Sequence, residues 1–586
     1  MAYSITSELL YKGESIPGLE FSPEAIPLFE TTAFTWKTLS EAKEAYSKIS
    51  SAQDFTYIRT CNPNRQALAE VISYLENGEK SLICSSGMGA ITSTLLTFLK
   101  PGDHVVYGSC CYGETLDVMQ KLLTKFGVET TSVSFDNMTD VESAVKPNTA
   151  IIYCEVAANP CMNLADIPAC AELAHKNGAM LIVDNTFTTP LAIRPLDFGA
   201  DIVINSMTKF INGHSDALGG SVTASAKLID QITPVSMYCG TPGDPFASWM
   251  IMRGIHTIGL RVPKQMSNAA KLAAALEQDP HVTKVNHPSL ESFPQHELAT
   301  RLFKGDQMSA MMSIIVPEDL DKMDKFLGKL HFAHYVPSLG GVRTALQHPC
   351  TSSHGHTPDA ERRKIGITPG MIRISVGIED PEDLIADFTE ALKAFDYIFF
   401  FNANAEFMQP VTREMLLPRA EKGEHLLVVQ HPSFYAKPNY EFTYDRNPRS
   451  TACIPYGLGK YYVCGGVNGG EAAAFLQLCH TLDARIRRDL QRNVIALWHD
   501  ESQINRYILF RKDFRVLTPA FCYPEGWDHL PFPCIIRIRS KARYIDIPAL
   551  RKDAPETKLS PAVARWSHVA MRAARWTQSQ SFKKGS

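Results

Sequence analysis

The chain has 586 residues, 45% of them hydrophobic, and a formal net charge of −4 at pH 7. This length predicts several domains, and a near-neutral charge without a basic stripe argues against a nucleic-acid or anionic-membrane partner. The sequence has neither a secretory signal pattern nor an apolar stretch near the ~20 residues that cross a bilayer, so we expect a cytoplasmic protein. Its 14 cysteines include no CxxC pair, so we expect neither a disulfide framework nor a bound metal.

Short β-rich segments alternate with helical patterns from about residue 70 to residue 225. The helical patterns include "GETLDVMQKLLTKF" and "PACAELAHKNG". The predicted strands are "SLICS", "HVVYG", "AIIYCEV", "MLIVDN", "DIVINS" and "GGSVTA". This alternation predicts a parallel sheet that is covered by helices.

A helical connector, at about 245–280, leads to a smaller α/β unit. That unit ends in the strand "MIRISVG" and in a helix that begins at Pro381. The sequence then changes character, because "DYIFFFNANAEF" is an aromatic run that predicts a buried strand, and the following residues are rich in Tyr, Pro and Trp. We place a domain boundary at Phe395–Asp396 and interpret the basic residues 551–586 as a surface or disordered tail.

Lys209, in "NSMTKFINGHSD", is the first candidate for a catalytic group. A lysine near a strand end is ordinarily solvated, but lysine also forms Schiff bases, and burial readily lowers its pKa. The hydroxyls of Ser206 and Thr208 beside it could donate to a phosphate. The preceding predicted strand ends at Asp184, where open α/β sheets bind ligands. A carboxylate there could face a pyridine nitrogen or simply cap a helix.

Two loops carry groups that suit an anion. In "CSSGMGAI", Gly87 and Gly89 separate a predicted strand from a helix, so backbone N–H groups can point at a phosphate. In "TYIRTCNPN", Tyr57 and Arg59 can project to one face of an extended loop, and arginine binds phosphate through two hydrogen bonds. Each pattern alone is equally typical of an ordinary turn or a surface arginine.

Together these motifs resemble the pyridoxal-phosphate (PLP) enzymes of the Cys/Met metabolism family, which includes methionine γ-lyase, cystathionine γ-lyase and γ-synthase, and O-acetylhomoserine sulfhydrylase. The resemblance covers about residues 20–395. It implies a fold type I PLP-dependent transferase, an α/β protein with a parallel-rich seven-stranded sheet and a small C-terminal α/β domain. The matching segments are "YIRTCNP", "SSGMGAI", "YGET", "ANPCMNLADI", "VDNTF", "NSMTKFINGHSD", "SFPQHELA", "SLGG" and "IRISVGIED".

The resemblance also implies domains and residue roles. Residues 1–60 would form an arm that contributes to the neighbouring subunit's site, 61–245 the large PLP-binding domain, and 246–395 the connector and small domain. Lys209 would hold the cofactor covalently and then shuttle protons, Asp184 would pair with the pyridinium, and Tyr112 would stack on the ring and protonate the leaving group. The other cofactor ligands would be Gly87, Met88, Asn159, Ser206 and Thr208 of one chain with Tyr57 and Arg59 of another, and the substrate carboxylate would bind Ser338 and Arg373.

A site shared between chains implies a homo-oligomer, at least a dimer and, by family habit, a tetramer. The implied reaction is α,γ-elimination on a small amino acid such as L-methionine or cystathionine, and γ-replacement is the alternative. Three departures lie where the substrate side chain would be recognised: Glu114, where methionine γ-lyases typically have cysteine, "VRT" at 342–344, and "HPCTSSHGHT". They leave the choice among methionine, cystathionine and O-acylhomoserine open.

Residues 396–550 resemble glycosyltransferase family 6, which comprises retaining α-galactosyl and N-acetylgalactosaminyl transferases. The matching segments are "FFFNANAEF", "QHPSFYAKPNYEFTYDRNP", "YYVCGGVNGG" and "ALWHDESQINRYIL". The resemblance implies a GT-A-like α/β segment that takes a UDP-sugar and a glycan acceptor. Glu501 would face the anomeric carbon beside Asp500 and Trp498, and His431 would bind acceptor hydroxyls. The donor-sugar pocket would contain Cys464, Gly465 and Gly466.

Two departures from this second family bear on activity. Asn402 and Asn404 stand where most animal relatives have a DxD motif, and amides are poor ligands for hard divalent cations, so we expect no metal; bacterial members share this NxN pattern. The βαβ portion that begins the family's catalytic domain is missing, so we expect an incomplete segment with an exposed aromatic strand edge, from a joined, truncated or engineered gene. The segment would be inert, an active transferase, or a sugar-binding or assembly module.

Overall fold

The computed structural model describes residues 4–13, 23–47, 55–305, 307–355, 357–419 and 422–540. The predicted tail at 551–586 and parts of the predicted arm lie outside these residues. The chain divides into two compact units, Met1–Ala394 and Phe395–Ser586. In the part of the chain that the structure describes, no helix is both long enough and apolar enough to cross a membrane.

A seven-stranded sheet forms the centre of the first unit. Its strands are β1 (Lys80–Cys84), β2 (His104–Gly108), β3 (Glu129–Val133), β4 (Thr149–Glu155), β5 (Met180–Asp184), β6 (Ile202–Ser206) and β7 (Gly220–Ala224). Their order is β1-β7-β6-β5-β4-β2-β3. Strand β7 runs antiparallel to β1 and β6, and the other pairs are parallel. The predicted parallel-rich seven-stranded sheet is therefore confirmed.

Strand β3 is the member of this sheet that the apolar runs do not predict. It lies at the edge of the sheet beside β2, and its side chains are exposed or half-buried. Its sequence, "ETTSV", is polar because an edge strand with accessible faces does not need the apolar residues of a central strand. A search for buried-type runs therefore finds six of the seven strands.

Helices cover the sheet and build the connector. They are α1 (Ile5–Glu8), α2 (Leu39–Ser47), α3 (Pro63–Glu76), α4 (Gly87–Phe98), α5 (Gly113–Asp117), α6 (Met138–Ala144), α7 (Ile167–Lys176), α8 (Thr189–Ala192), α9 (Ala226–Cys239), α10 (Pro245–Ile255) and α11 (Ile258–Glu277). The predicted helix "GETLDVMQKLLTKF" begins as α5 and continues as a π turn and a 3-10 turn. Residues of α4 and α9 pack on β1, β2, β4, β5, β6 and β7 to form a hydrophobic core.

The smaller α/β part of the first unit follows α11. It contains β8 (Lys284–Asn286), α12 (His296–Leu302), β9 (Met311–Ile315), α13 (Leu320–Lys329), β10 (His334–Tyr335), β11 (Ala345–Gln347), α14 (Asp359–Lys364), β12 (Met371–Ser375) and α15 (Pro381–Leu392). Its five strands have the order β10-β11-β12-β9-β8. As predicted, the closing helix α15 begins at Pro381, and the side chain of Asp380 caps it by accepting from the Glu382 N–H.

The second unit contains two small mixed sheets. Its strands are β13 (Tyr397–Phe401), β14 (Ala405–Phe407), β15 (Leu426–Gln430), β16 (Val463–Glu471), β17 (Phe514–Leu517), β18 (Tyr523–Pro524) and β19 (Ile536–Ile538). Four strands pair in the order β13-β16-β15-β17, and three pair in the order β14-β19-β18. The helices are α16 (Arg413–Leu416), α17 (Ala472–Gln491) and α18 (His499–Ile508).

Strand β13 carries the aromatic run: the prediction of a buried strand is wrong, whereas the expected exposed aromatic edge is present. β13 is an edge strand that pairs antiparallel with β16. Its side chains are half-buried or exposed, and Phe400 is 44% exposed. An edge strand has a sheet neighbour on one side only, which explains why even four aromatic side chains in five residues do not become fully buried.

Candidate functional site

Lys209 lies in the turn that follows β6. Its N–H donates to the Ser206 carbonyl at 3.2 Å, and its carbonyl accepts from the Gly213 N–H at 2.8 Å. The side chain is half-buried. Burial lowers the pKa of the Lys209 amine and the nearby Arg373 lowers it further, whereas Glu114 raises it. The net direction is towards the neutral amine, which is the form that can act as a nucleophile or base, more readily than for a solvated lysine.

Asp184 ends β5, the strand next to β6 in the sheet. One carboxylate oxygen accepts from the Thr186 N–H at 2.9 Å, and the other accepts from the Tyr153 hydroxyl at 3.4 Å. Burial raises the pKa of Asp184, and hydrogen bonds from Thr186 and Tyr153 lower it. Both are neutral donors, so a protonated ring nitrogen would supply the positive charge that stabilises a buried carboxylate.

The N-terminus of α4 meets the end of β6 at very close range. A Cβ atom on Gly87 would lie 2.9 Å from Ser206 Cβ, and one on Gly220 would lie 2.0 Å from the Ser86 carbonyl oxygen. The Ser86 side chain caps α4 by accepting from the Gly89 N–H at 3.0 Å. The close packing of α4 on the end of β6 brings the N–H groups of the first turn of α4 near the Ser206 hydroxyl. Such a group of donors suits a phosphate.

The remaining predicted phosphate ligands lie in three places. Met88 is the second residue of α4. Thr208 lies in the same turn as Lys209, and its hydroxyl oxygen accepts from the Gly219 N–H at 3.1 Å. Tyr57 and Arg59 lie in an exposed loop between α2 and α3, where the guanidinium carbon of Arg59 is 5.7 Å from the centre of the Tyr57 ring.

Arg373, on β12, joins three distant parts of the chain. Its Nη1 donates to Asn159 Oδ1 at 3.2 Å, and its Nη2 donates to the Ser338 carbonyl at 3.2 Å. Arg373 is 4% exposed, and burial lowers its pKa to about 10. Its buried Nε has no hydrogen-bond acceptor among the residues that the structure describes. A buried guanidinium with an unsatisfied donor is suited to a carboxylate ligand.

Tyr112 precedes α5 and is 41% exposed. Its N–H donates to Glu155 Oε1 at 2.6 Å. Burial raises the pKa of the Tyr112 hydroxyl, and so does a hydrogen bond with Glu114, while Arg373 lowers it. The hydroxyl therefore stays protonated near neutral pH and can donate a proton.

A half-buried acid, Glu155, and a buried acid, Glu76, lie among these strand and helix ends, and the sequence patterns predict neither. Glu155 ends β4 in register with Asp184, and burial together with Asp184 raises its pKa. Glu76, at the end of α3, accepts from Asn185 Nδ2 at 3.1 Å and from Asn205 Nδ2 at 2.7 Å, and burial raises its pKa to about 7. Glu155 follows a predicted strand, as Asp184 does, and this position at a strand end could have identified it as a candidate site residue. Glu76 lies inside a helix, where the sequence pattern does not distinguish it from a surface acid.

In the second unit, five of the predicted residues come together. A carboxylate oxygen of Glu501 accepts from the Gly465 N–H at 3.1 Å. A Cβ atom on Gly465 would lie 3.1 Å from Asp500 Oδ2, and one on Gly466 would lie 2.8 Å from Asn402 Nδ2. Burial raises the pKa of Glu501. Two glycines on β16 thus leave room for polar groups from α18 and from the end of β13.

Two further predicted residues lie around this cluster. The His431 ring packs edge-on against Tyr462, with 5.6 Å between ring centres, and burial together with the nearby Glu501 raises the pKa of the Tyr462 hydroxyl. Burial lowers the pKa of His431 to about 4, so its ring is neutral near neutral pH. Trp498, 48% exposed, donates from Nε1 to the Thr443 carbonyl at 3.1 Å.

The last two predicted residues point elsewhere. Cys464 is buried in the apolar core of this unit with Cys522. Asn404 donates from Nδ2 to the Arg539 carbonyl at 2.5 Å, so this amide is engaged in the fold. Across the described ranges, no group of three or more His, Cys, Asp and Glu side chains is arranged to hold a metal ion.

The chain is similar to known proteins in both units. Residues 8–393 match the family model "Cys/Met metabolism PLP-dependent enzyme", and residues 382–551 match "Glycosyltransferase family 6". The chain is 38% identical over 372 residues to the L-methionine gamma-lyase of Treponema denticola, covering 63% of this chain and 92% of that protein. It is 42% identical over 340 residues to the cystathionine gamma-lyase of Bacillus subtilis, covering 58% and 89%.

A solved structure is similar as well. The crystal structure of cystathionine gamma synthase from Xanthomonas oryzae pv. oryzae, in complex with aminoacrylate and cysteine, superposes with a TM-score of 0.63. The two sequences are 31% identical, and the match covers 67% of this chain and 99% of that chain.

Proposed function

The chain belongs to the Cys/Met metabolism family of PLP-dependent enzymes, as its motifs predict, and we propose on this basis that it catalyses α,γ-elimination on a sulfur amino acid such as L-methionine or cystathionine. The C–S bond at the γ-carbon breaks, the thiol leaves, and addition of water gives 2-oxobutyrate and ammonia. γ-Replacement, as the similarity to a cystathionine gamma synthase allows, is the alternative. The observation that carries the proposal is a half-buried lysine, Lys209, one strand away from the carboxylate of Asp184.

The residues present fit pyridoxal phosphate. The N–H groups of Gly87 and Met88, with the Ser206 hydroxyl beside them, would hold the phosphate. Asp184 would hold the ring nitrogen in its protonated form. When bound, the cofactor supplies an electron sink for the substrate α-carbon. The exposed loop of Tyr57 and Arg59 is free to reach a neighbouring copy, so we also propose a homo-oligomer, at least a dimer.

Three residues would then act on the substrate. Arg373, with its unsatisfied Nε, would bind the α-carboxylate and so orient the Cα–H bond. The Lys209 amine would take the Cα proton, release it, and then take a Cβ proton, and burial, which lowers its pKa, makes that release easier. The Tyr112 hydroxyl would give a proton to the departing sulfur, because its raised pKa keeps it protonated.

Product analysis tests the proposal directly. The holoenzyme is offered L-methionine, L-cystathionine and O-acetyl-L-homoserine in turn, and the 2-oxobutyrate and thiol released are measured. Each reaction is run with and without an added external thiol that could replace the group leaving the γ-carbon. We expect 2-oxobutyrate from at least one thioether in the absence of the external thiol. If a product forms only when an external thiol is supplied, γ-replacement is the correct reaction. If no substrate yields any product from PLP-loaded protein, the proposed function is wrong.

The cluster around Glu501 favours a second activity, retaining sugar transfer from a UDP-sugar, in the second unit. We expect the protein to release UDP from UDP-galactose or UDP-N-acetylgalactosamine, and Glu501→Ala to lower that rate at least ~10²-fold, as is typical when one charged catalytic group is removed. The matched control is Asp483→Asn, which removes an exposed acid paired with Arg487 on α17. Absence of UDP release from the unaltered protein would exclude this activity, and glycan binding alone would indicate a binding module.

A further inference from the structure

Two free cysteine thiols, Cys110 and Cys161, meet at one carbonyl group beside the candidate site. The Cys110 sulfur donates to the Ile365 carbonyl oxygen at 3.8 Å, and the Cys161 sulfur donates to the same oxygen at 3.1 Å. Both side chains are buried, with Cys110 8% exposed and Cys161 5% exposed. Because the two thiols share one acceptor, they are neighbours although they belong to different turns of the chain.

Each thiol lies in a turn that carries a predicted site residue. Cys110 lies between β2 and α5, two residues before Tyr112. Cys161 follows β4, two residues after Asn159, whose Oδ1 accepts from Arg373. Because β2 and β4 are adjacent parallel strands, the two turns leave the same edge of the sheet. A displacement of these turns would therefore move groups that are placed to act on the substrate and the cofactor.

The two thiols differ in acidity. The neighbouring Cys161 lowers the pKa of Cys110, against the effect of burial, and the Ser109 hydroxyl donates to the Cys110 sulfur at 4.0 Å. In contrast, the neighbouring Cys110 and burial both raise the pKa of Cys161. Cys110 is thus the thiol that more readily becomes a thiolate, which is the form that reacts with oxidants.

A small cavity lies beside Cys110. Its volume is about 20 Å³, and its walls include Ser109, Cys110, Asp136 and Asn163. A space of this volume holds a single molecule of about the size of water. Hydrogen peroxide therefore fits this cavity better than a bulky organic peroxide does.

We propose that Cys110 and Cys161 form a reversible disulfide when a small peroxide reaches this cavity, and that the disulfide lowers turnover at the neighbouring site. The Cys110 sulfur attacks a peroxide oxygen, an S–O bond forms, the O–O bond breaks, and the departing oxygen takes the thiol proton. The Cys161 sulfur then attacks the Cys110 sulfur, and the hydroxyl of the S–OH group leaves as water with the Cys161 proton. Two thiols are oxidised, and one peroxide is reduced by two electrons.

The disulfide would act on the site in two ways. It removes both thiol protons, so the Ile365 carbonyl loses two donors. It also holds the two sulfurs ~2.05 Å apart, which draws the turn of Tyr112 towards the turn of Asn159. Since a displacement of about 1 Å can cost ~10²-fold in rate, we expect kcat/KM for 2-oxobutyrate formation to fall at least ~10-fold. This effect on turnover rests on the proposed function.

Peptide mapping tests the bond itself. The holoenzyme is treated with hydrogen peroxide, the remaining thiols are alkylated, and the peptides are sequenced by mass spectrometry. We expect Cys110 linked to Cys161, and dithiothreitol should break the link and restore kcat/KM. In Cys161→Ser the first step proceeds but the second cannot, so dimedone should label Cys110 as a sulfenic acid. A treated holoenzyme without the linked peptide would overturn the proposal.

Two further variants connect the bond to the loss of turnover. Cys110→Ser keeps a hydroxyl that can donate to the Ile365 carbonyl, so it should turn over without peroxide and resist inactivation by peroxide. Cys239→Ser removes an exposed thiol at the end of α9 and should be inactivated as the unaltered enzyme is. If peroxide inactivates Cys110→Ser as strongly as the unaltered enzyme, the disulfide does not control turnover.

The absorption spectrum of the bound cofactor separates this proposal from the proposed function. If the PLP-loaded protein eliminates no substrate, the linked peptide still reports the thiol pair, and the spectrum reports the site, because Asn159 is a predicted cofactor ligand. A linked peptide with a spectrum that changes on oxidation and recovers on reduction would then support the disulfide while the elimination proposal fails. A linked peptide with an unchanged spectrum in that inactive protein would reject the effect on the site.

Discussion

Replacing Lys209 by alanine should lower kcat for 2-oxobutyrate formation at least ~10³-fold, because in the proposed mechanism this one residue supplies both the covalent attachment of the cofactor and the proton transfers. The half-buried amine and its lowered pKa prepare this residue for both roles. Borohydride treatment followed by peptide mapping should find the cofactor fixed at Lys209 in the unaltered protein and at no residue in the variant. The same preparations give kcat by the 2-oxobutyrate assay.

Two control variants make the Lys209 result specific. Lys209→Arg keeps a positive charge but cannot attach the aldehyde or become a neutral amine, so it should be as inactive as the alanine variant. Lys227→Ala removes an exposed lysine on α9 and should retain full activity. Turnover and trapped cofactor that persist in Lys209→Ala would contradict the assignment of this lysine.

Replacing Asp184 by asparagine should lower kcat about 10²- to 10³-fold, which is the usual effect of removing one preorganised electrostatic partner. The amide is similar in size, its oxygen can still accept from the Thr186 N–H, and its Nδ2 can donate to the Tyr153 hydroxyl oxygen, so the fold should persist. It carries no negative charge, so the ring nitrogen would lose its proton and the cofactor would withdraw electrons less strongly. Steady-state kinetics and the absorption spectrum of the bound cofactor measure both effects.

The control for Asp184 is an acid at the other end of the same sheet. Asp201 precedes β6 and accepts from the Leu181 N–H at 2.8 Å and from His175 at 3.0 Å. Asp201→Asn should lower the thermal unfolding temperature rather than kcat, because it is bound to structural groups only. If Asp184→Asn turns over at the rate of the unaltered enzyme, Asp184 does not act on the cofactor.

Much of the fold of the first unit could be predicted because its central strands are buried. Runs such as "AIIYCEV" and "MLIVDN" identify β4 and β5 from apolar content alone, since both faces of a helix-covered sheet are apolar. The edge strands show the limit of this reasoning. The apolar pattern does not detect β3, which is polar, and the aromatic run of β13 predicts a buried strand although β13 lies at a sheet edge. The residue composition of a strand therefore does not show whether it pairs with one neighbouring strand or with two.

The site could be predicted in its chemistry but not in its supporting contacts. Lys209 and Asp184 stand at strand ends, where the sequence pattern and the sheet geometry agree. The hydrogen bond between Arg373 and Asn159 joins residues 214 positions apart, which no local pattern specifies. Glu76 resembles a surface charge in its helix, and only the folded chain brings it between Asn185 and Asn205.

Gly87 and Gly220 limit which substitutions this chain can accept. A methyl group at either position would collide with Ser206 or with the backbone of Ser86, so substitution there would disturb the junction of α4 and β6 at which we propose that the phosphate binds. Glu114 and Arg343 are each exposed, so a new side chain at either position meets solvent rather than packed atoms. We therefore expect natural variation to accumulate more readily at these two positions than at the two glycines.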